Sequence, residues 1–283
     1  MAVRELGQNR MLMPFLKWAG GKRQLLAEIC RLLPDDYARH THIEPFIGGG
    51  SVLFHLQPER AVINDVNDEL INAYLVIKNH PEALIKDLKK HKNNAEYFYA
   101  IRALDRSESF TDLSPIERAS RLIYLNKTCF NGLYRVNKAG YFNAPFGRYK
   151  NPNIINEAVI RAVSHFLNTR QITISCGHYA DTLKNIDQNA FVYFDPPYHP
   201  VSRSANFTGY VKGGFDENDQ IALKAVCDEL HKKGIKFLLS NSATEFILDL
   251  YSDYDVHIVQ ARRAINSKAL KRGGVEEVLV RNY

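Results

Sequence analysis

The run Val192–Pro200, VYFDPPYHP, takes a hydrophobic stretch straight into an acid, two prolines and a tyrosine. Proline has no N–H and a fixed φ, so the carbonyl of Pro196 is held out of ladder pairing and stays open to a donor. Asp195 supplies a second acceptor, and Tyr198 a flat ring beside both. Two acceptors next to a stacking surface suit an amino group on a planar heterocycle. Taken alone, the same residues also fit a buried strand ended by proline. A second constellation reads EPFIGGGS, Glu44 to Ser51, followed by INDVN, Ile63 to Asn67. A strand, a glycine-rich turn, a helix start and an acid closing the next strand form a nucleoside-binding arrangement. Gly48 and Gly50 let the backbone come close to a ligand, and Asp65 can accept from ribose hydroxyls. The turn is F-x-G-x-G from Phe46 rather than G-x-G-x-x-G, which argues away from NAD. The bland alternative is a tight β–α turn with a surface aspartate.

The stretch KWAGGKRQ, Lys17 to Gln24, superficially resembles a phosphate-binding loop. Such a loop needs G-x-x-x-x-G-K-[ST] after a strand. Here the first glycine position falls on Phe15 or Leu16, and Arg23 replaces the hydroxyl. Trp18 and Lys22 therefore await another partner.

Charge placement says more than the net charge of +6. Between Glu117 and Glu157 there is no acid, yet Arg118, Arg121, Lys127, Arg135, Lys138, Arg148 and Lys150 fall there. A solvated face usually mixes both signs. Tyr124, Phe130, Tyr134, Tyr141, Phe142, Phe146 and Tyr149 interleave with these cations, as on a nucleic-acid contact surface. A second basic cluster comprises Arg262, Arg263, Lys268, Lys271 and Arg272. The four cysteines form no C-x-x-C pair. Neither a zinc site nor a disulfide framework is expected, and the thiols read as buried or semi-buried ones of a reducing compartment. No metal is expected. No apolar stretch approaches a membrane span, and Pro14 interrupts the only N-terminal apolar run, so a soluble cytoplasmic protein is expected.

The elements that must position these residues alternate. Helix Lys22–Leu33, strand His42–Phe46, a helix capped by Ser51, strand Ala61–Asn64 and helix Asp68–Lys78 come first. From 81 to 168 helical patterns dominate (Glu82–His91, Ala95–Leu104, Pro115–Lys127, Asn156–Leu167) around an irregular Gly- and Asn-rich piece, Asn131 to Pro152. This reads as a separate, mainly helical lobe with a hairpin, inserted into a domain made of 1–80 and 169–283. Strands then return at Ile172–Cys176, Phe191–Phe194 and Phe237–Ser240, with helices Glu217–Lys233 and Thr244–Leu250. Val256–Ala261 and Glu276–Val280 have no helix between them and read as an antiparallel pair at the sheet edge. The pattern predicts an α/β fold with a doubly wound, mostly parallel sheet, binding ligands at the strands' carboxyl ends near the switch point.

The glycine turn and the DPPY tetrapeptide together resemble the amino-group methyltransferases that use S-adenosylmethionine. The order of cofactor motif, inserted lobe and catalytic motif is similar to the alpha group of DNA adenine N6-methyltransferases. FLKWAGGK, Phe15 to Lys22, resembles the N-terminal motif of the Dam-type enzymes, and the likeness extends through Phe130–Pro152, SANFTGY (Ser204–Tyr210) and LLSNS (Leu238–Ser242). The resemblance implies a Rossmann-like methyltransferase sheet. It also implies that Trp18, Lys22, Phe46, Gly48, Gly50, Asp65 and Asp195 contact the cofactor, with Tyr179 and Asp181 beside its adenine. Asp195, the Pro196 carbonyl and Tyr198 would hold the target adenine. In the lobe, Phe130 would wedge into the base stack while Leu133, Arg135 and Pro145 read bases. Lys17 would reach a base edge, and Asn131, Lys138, Arg148 and Lys150 lie on the same DNA-facing stretch. Arginine on guanine O6/N7 and an apolar side chain on the thymine methyl suit a GATC site in double-stranded DNA.

The implied reaction is methylation of adenine N6 on a flipped base. Cytosine C5 chemistry needs a Pro-Cys nucleophile, and no cysteine here follows a proline. Methyltransferases of protein glutamine tend to carry Asn in place of Asp195 and lack this basic lobe. Two rivals stay open: a same-group enzyme reading another site, and a non-enzymatic DNA-binding regulator with a vestigial pocket. A monomer is expected. The role, housekeeping or half of a restriction–modification pair, is left open.

Overall fold

The computed structural model describes residues 9–18, 20–201, 214–262 and 274–283. Ser204–Tyr210 and all of the second basic cluster but Arg262 lie outside them. Seven strands form one sheet: β1 (Thr41–Glu44), β2 (Arg60–Asp65), β3 (Gln171–Cys176), β4 (Ala190–Phe194), β5 (Lys236–Ser242), β6 (Asp255–Arg262) and β7 (Gly274–Arg281). Their order is β3-β2-β1-β4-β5-β7-β6. The first five run parallel, and β7 enters antiparallel between β5 and β6. The mostly parallel sheet with an antiparallel edge pair is thus as the sequence predicts.

The sheet is covered on both faces, so its parallel strands are apolar on both sides. Ile43, Val192, Phe194, Phe237 and Leu239 pack towards α8 (Glu217–Lys232) and α9 (Glu245–Leu250). Phe191, Tyr193 and Leu238, one residue out of phase, pack towards α1 (Leu26–Leu32) and α2 (Ser51–Leu56), as the two-residue strand period requires. A third cluster joins Ala61, Ile63 and Ile172 of the sheet to α3 (Asp68–Asn79), α4 (Pro81–Leu88), α5 (Ala95–Ala103), α6 (Pro115–Thr128) and α7 (Glu157–Thr169). The helices of 81–168 therefore share a hydrophobic core with the strands.

Some local expectations shift. The helix expected from Lys22 begins as a 3-10 turn, Lys22–Gln24, and becomes α-helical only at Leu26. Ser51 does not cap α2. Gly50 does, in the left-handed region at φ +71°, which an L side chain rarely adopts. The hairpin in the basic lobe is held by isolated bridges, Cys129 to Phe146 and Val136 to Phe142, rather than by a continuous ladder. Of the thiols, Cys129 and Cys227 are buried, but Cys176 is exposed at the end of an edge strand.

Candidate active site

Strand order reverses between β1 and β4, so the turn after β1 and the loop after β4 open side by side. The glycine turn fills the first position and Asp195 the second. A cleft there is lined by Trp18, Gly20, Lys22, Glu44, Gly48 and Asp195, among others.

Asp195 is held by one of its two oxygens. Lys22 Nζ lies 2.6 Å from Oδ1 and is only 3% exposed. Ser240 Oγ, from β5, donates to the same oxygen at 3.1 Å and lies 3.1 Å from Tyr193 Oη. Oδ2 and the Pro196 carbonyl have no hydrogen-bond partner among the described residues. Burial pushes the Asp195 carboxyl up, against the Lys22 ammonium and the Ser240 hydroxyl, which pull it down. The Tyr198 ring lies beneath the Lys22 ammonium at 4.6 Å, and its hydroxyl donates to Glu277 Oε2 of β7 at 2.9 Å. The loop beyond is tied down as well. Gln220 donates to the Pro197 carbonyl at 2.9 Å, and the His199 N–H donates to Asn241 Oδ1 at 3.0 Å.

Asp65 closes β2 and supports the glycine turn. Its Oδ2 accepts from Gly48 N–H at 3.1 Å and its Oδ1 from Asn67 N–H at 3.0 Å. Burial raises its pKa to about 6, despite those backbone donors. Tyr74 holds the other side of Gly48, donating to its carbonyl at 3.0 Å. The glycines are needed by the protein's own side chains. A Cβ on Gly48 would sit 2.9 Å from Trp18, and one on Gly50 would sit 2.6 Å from Tyr74 Oη and 2.9 Å from Phe54. Phe46 stacks on Tyr179 at 5.0 Å. Asp181, two residues after Tyr179, is largely exposed and paired through Oδ1 with Lys184 at 2.6 Å.

The lobe residues gather on one irregular surface. Phe130 is 52% exposed on the short turn Phe130–Gly132, whose Asn131 takes φ +59°. The turn is pinned: Phe130 N–H donates to the Pro145 carbonyl at 2.8 Å, and Asn131 N–H to Tyr149 Oη at 2.9 Å. Leu133 and Arg135 are partly buried, and Lys17, Pro145, Lys138, Arg148 and Lys150 are exposed. The Arg135 guanidinium is already oriented. Its Nε donates to Asn143 Oδ1 at 2.6 Å and its Nη2 to the Asn143 carbonyl at 3.2 Å. That leaves the Nη1/Nη2 end of the fork facing away from Asn143. Asp105 fastens the hairpin to the helices, accepting from Phe142 N–H at 2.7 Å and lying 3.0 Å from Arg121 Nη2.

Sequence reasoning missed Glu44, Tyr193, Ser240, Gln220 and Glu277. Glu44 is buried against His42 at 2.7 Å, and burial holds its pKa above the usual carboxylate range. Ser240, Asn241 and Ser242 carried a usable signal, being three successive polar residues directly after the apolar run Phe237–Leu239 of one strand. Glu277 carried none.

A doubly wound sheet with an acid after β4, set against a glycine turn after β1, is the layout of a Rossmann-like methyltransferase. Residues 18–265 match the family of D12 class N6 adenine-specific DNA methyltransferases, and the chain belongs to that family. It is a DNA adenine methyltransferase. The chain is 44% identical over 281 residues, 98% of each chain, to the Type II methyltransferase M1.LlaDCHI of Lactococcus lactis subsp. cremoris. It is 41% identical to the Type II methyltransferase M.MjaIII of Methanocaldococcus jannaschii, over 95% of this chain and 99% of that one. A DNA adenine methylase of Serratia marcescens is 38% identical over 94% of this chain and 96% of its own.

The family implies S-adenosylmethionine as methyl donor. The residues fit a cationic ligand of that kind. Glu44 and Asp195 line one cleft, where Lys22 pairs with Asp195 alone, and Asp65 backs the glycine turn; burial, with a smaller contribution from the Asp195 charge, raises both Glu44 and Asp65. A positive ligand would relieve that excess of negative charge.

Proposed function

We propose that the protein methylates adenine N6 within GATC in double-stranded DNA, using S-adenosylmethionine, on a base swung out of the helix. The observation that carries this reading is the division of labour at Asp195: Oδ1 is taken by Lys22 and Ser240, while Oδ2 and the carbonyl of the next residue, Pro196, have no hydrogen-bond partner among the described residues. Those two acceptors match the two N–H groups of an adenine amine. Trp18, Lys22, Phe46, Gly48, Gly50, Asp65, Tyr179 and Asp195 would hold the cofactor, which supplies a methyl group on a positively charged sulfur. Asp181, paired through one oxygen with Lys184, would lie beside the cofactor's adenine with Tyr179.

The N6 lone pair of adenine is delocalised into the ring and is a poor nucleophile. Hydrogen bonds from both N–H groups to fixed acceptors favour a pyramidal nitrogen with its lone pair aimed at the methyl carbon. Placement and electrostatics carry most of the acceleration. Tyr198 offers the extrahelical base a ring whose tilt Glu277 fixes. The proton lost from N6 leaves beside Asp195, whose proton affinity burial has raised.

We assign residues 1–80 and 169–283 to the cofactor and the reaction, and 81–168 to target recognition. There Phe130 would wedge into the base stack, and Leu133, Arg135, Pro145 and Lys17 would read bases. Asn131, Lys138, Arg148 and Lys150 would face the backbone. A monomer suffices for these roles. The Type II names of the two relatives above favour a restriction–modification setting, and leave room for a recognition site other than GATC.

The test is transfer of a labelled methyl group to duplex DNA, followed by digestion with nucleases blocked by methylation at GATC. Protection of GATC supports the reading; label incorporated without that protection assigns a different site. Asp195→Asn keeps the shape around Lys22 but replaces the acceptor, and should lower turnover by about 10²-fold or more. Near-normal turnover would remove Asp195 from the reaction.

A further inference from the structure

We propose that Asn126 is a positioning residue that couples reading of the DNA to binding of the cofactor; the inference rests on the two sites proposed above. Asn126 is fully buried on the last turn of α6 and lies outside the residues assigned to either ligand. Its side chain pairs with the main chain of Lys17 as a neighbouring strand would. Oδ1 accepts from Lys17 N–H at 2.9 Å, and Nδ2 donates to the Lys17 carbonyl at 2.8 Å. The same Nδ2 donates to the carbonyl of Gly132, in the recognition turn, at 3.1 Å. One amide thus joins the N-terminal segment to the turn that carries Phe130 and Leu133.

The contacts continue on both sides of that clasp. Gly132 sits at φ +63°, and a Cβ there would lie 2.7 Å from Lys17 Cδ, so the recognition turn presses directly on Lys17. The next residue, Trp18, stacks on Tyr134 of the lobe at 4.9 Å and 19°. Trp18 also covers the cofactor turn, where a Cβ on Gly48 would come within 2.9 Å of its ring and one on Gly49 within 3.1 Å of its own Cβ. Lys17–Trp18 is therefore a strap with the recognition turn on one side and the glycine turn on the other. Packed side chains do not deform continuously. A base that pulls Lys17 or Leu133 into place also sets Trp18 over the cofactor, and the cofactor returns the same free energy to DNA binding.

The experiment measures the affinity of the full-length protein for S-adenosylhomocysteine, which cannot react. It is measured alone, with the duplex the protein methylates, and with that duplex altered at one recognised base pair. The methylated sequence should tighten binding about five-fold or more, and the altered one much less. In Asn126→Ala and separately in Tyr134→Leu the factor should fall towards one, while Asn126→Asp, which keeps the acceptor for Lys17 N–H and loses both donations, should fall between. A factor of one in the unmodified protein overturns the inference. So does the full factor in a folded Asn126→Ala protein or, should that variant not fold, in Tyr134→Leu. The proposed function fails separately, by absence of methyl transfer to DNA.

Discussion

Asp65 is an acid whose charge state is set by the fold. Its folded pKa, about 6, lies above the ordinary carboxylate value because the group is buried. Between those two values the folded chain holds a proton that the unfolded chain does not. This stabilises the fold below the ordinary range, and the contribution is lost as pH rises through about 6. Binding of a cationic cofactor should run the opposite way, since it calls for the ionised acid. Affinity for S-adenosylmethionine, measured without DNA, should rise as pH rises through about 6, and Asp65→Asn should flatten that rise. Calorimetric titration from about pH 5 to 8 reads both; an unchanged profile in the variant assigns the inflection to Glu44 or Asp195. Arg135 poses a different question. With its Nε edge held by Asn143, only the end of the fork is open to a guanine. Arg135→Ala should cost about 1–3 kcal/mol on the methylated site and little on DNA already altered at that guanine. Asn143→Ala should weaken discrimination at the same base pair. Equal losses on every sequence would make Arg135 a backbone clamp.

At the scale of elements, the turn after β1 works because its glycines are crowded. Gly50 combines a left-handed backbone with a site where a Cβ would meet Tyr74 and Phe54. Gly50→Ala should therefore lower stability by about 2–4 kcal/mol, the sum of a backbone and an overpacking penalty. Thermal unfolding measures it, and a loss below about 0.5 kcal/mol would mean that the turn relaxes freely. The recognition turn is built on other lines. It has no ladder to support it, and depends on hydrogen bonds that it donates to the Pro145 carbonyl and Tyr149 Oη and one that it accepts from Asn126. At the sheet edge, insertion of β7 between β5 and β6 carries Glu277 to the Tyr198 hydroxyl.

For the molecule as a whole, electrostatics and packing divide the work. The acid-free interval between Glu117 and Glu157 supplies exposed Lys138, Arg148 and Lys150, the last two flanking the Tyr149 that holds the recognition turn. If Lys138 and Lys150 only neutralise phosphate, replacing either by alanine should weaken binding to all duplexes alike. Each should also reduce the slope of log K against log salt by about one. Binding measured over a salt series on methylated and altered duplexes separates this from base reading; a sequence-dependent loss would move either lysine to a base edge. The helices behind that surface share a core cluster with β2 and β3, so recognition and catalytic residues hang on one packed framework.

The alternation of strands and helices, the glycine turn, the acid after β4 and the one-sign basic interval were all legible in the chain. Each depends on residues close together in sequence, through strand and helix periods, proline and glycine sterics, and local charge. What tertiary structure decided is of another kind. That Gly48 makes room for Trp18, and Gly50 for Tyr74, follows only once residues 30 and 24 positions apart have met. The partners of Asp195, Tyr198 and Lys17 lie 45, 79 and 109 positions from them. Ser240, Glu277 and Asn126 gave no local sign of which backbone or side chain they serve. A hydrogen bond is specified by direction and distance, and for residues so far apart these exist only after the sheet has set its strand order and its core has closed.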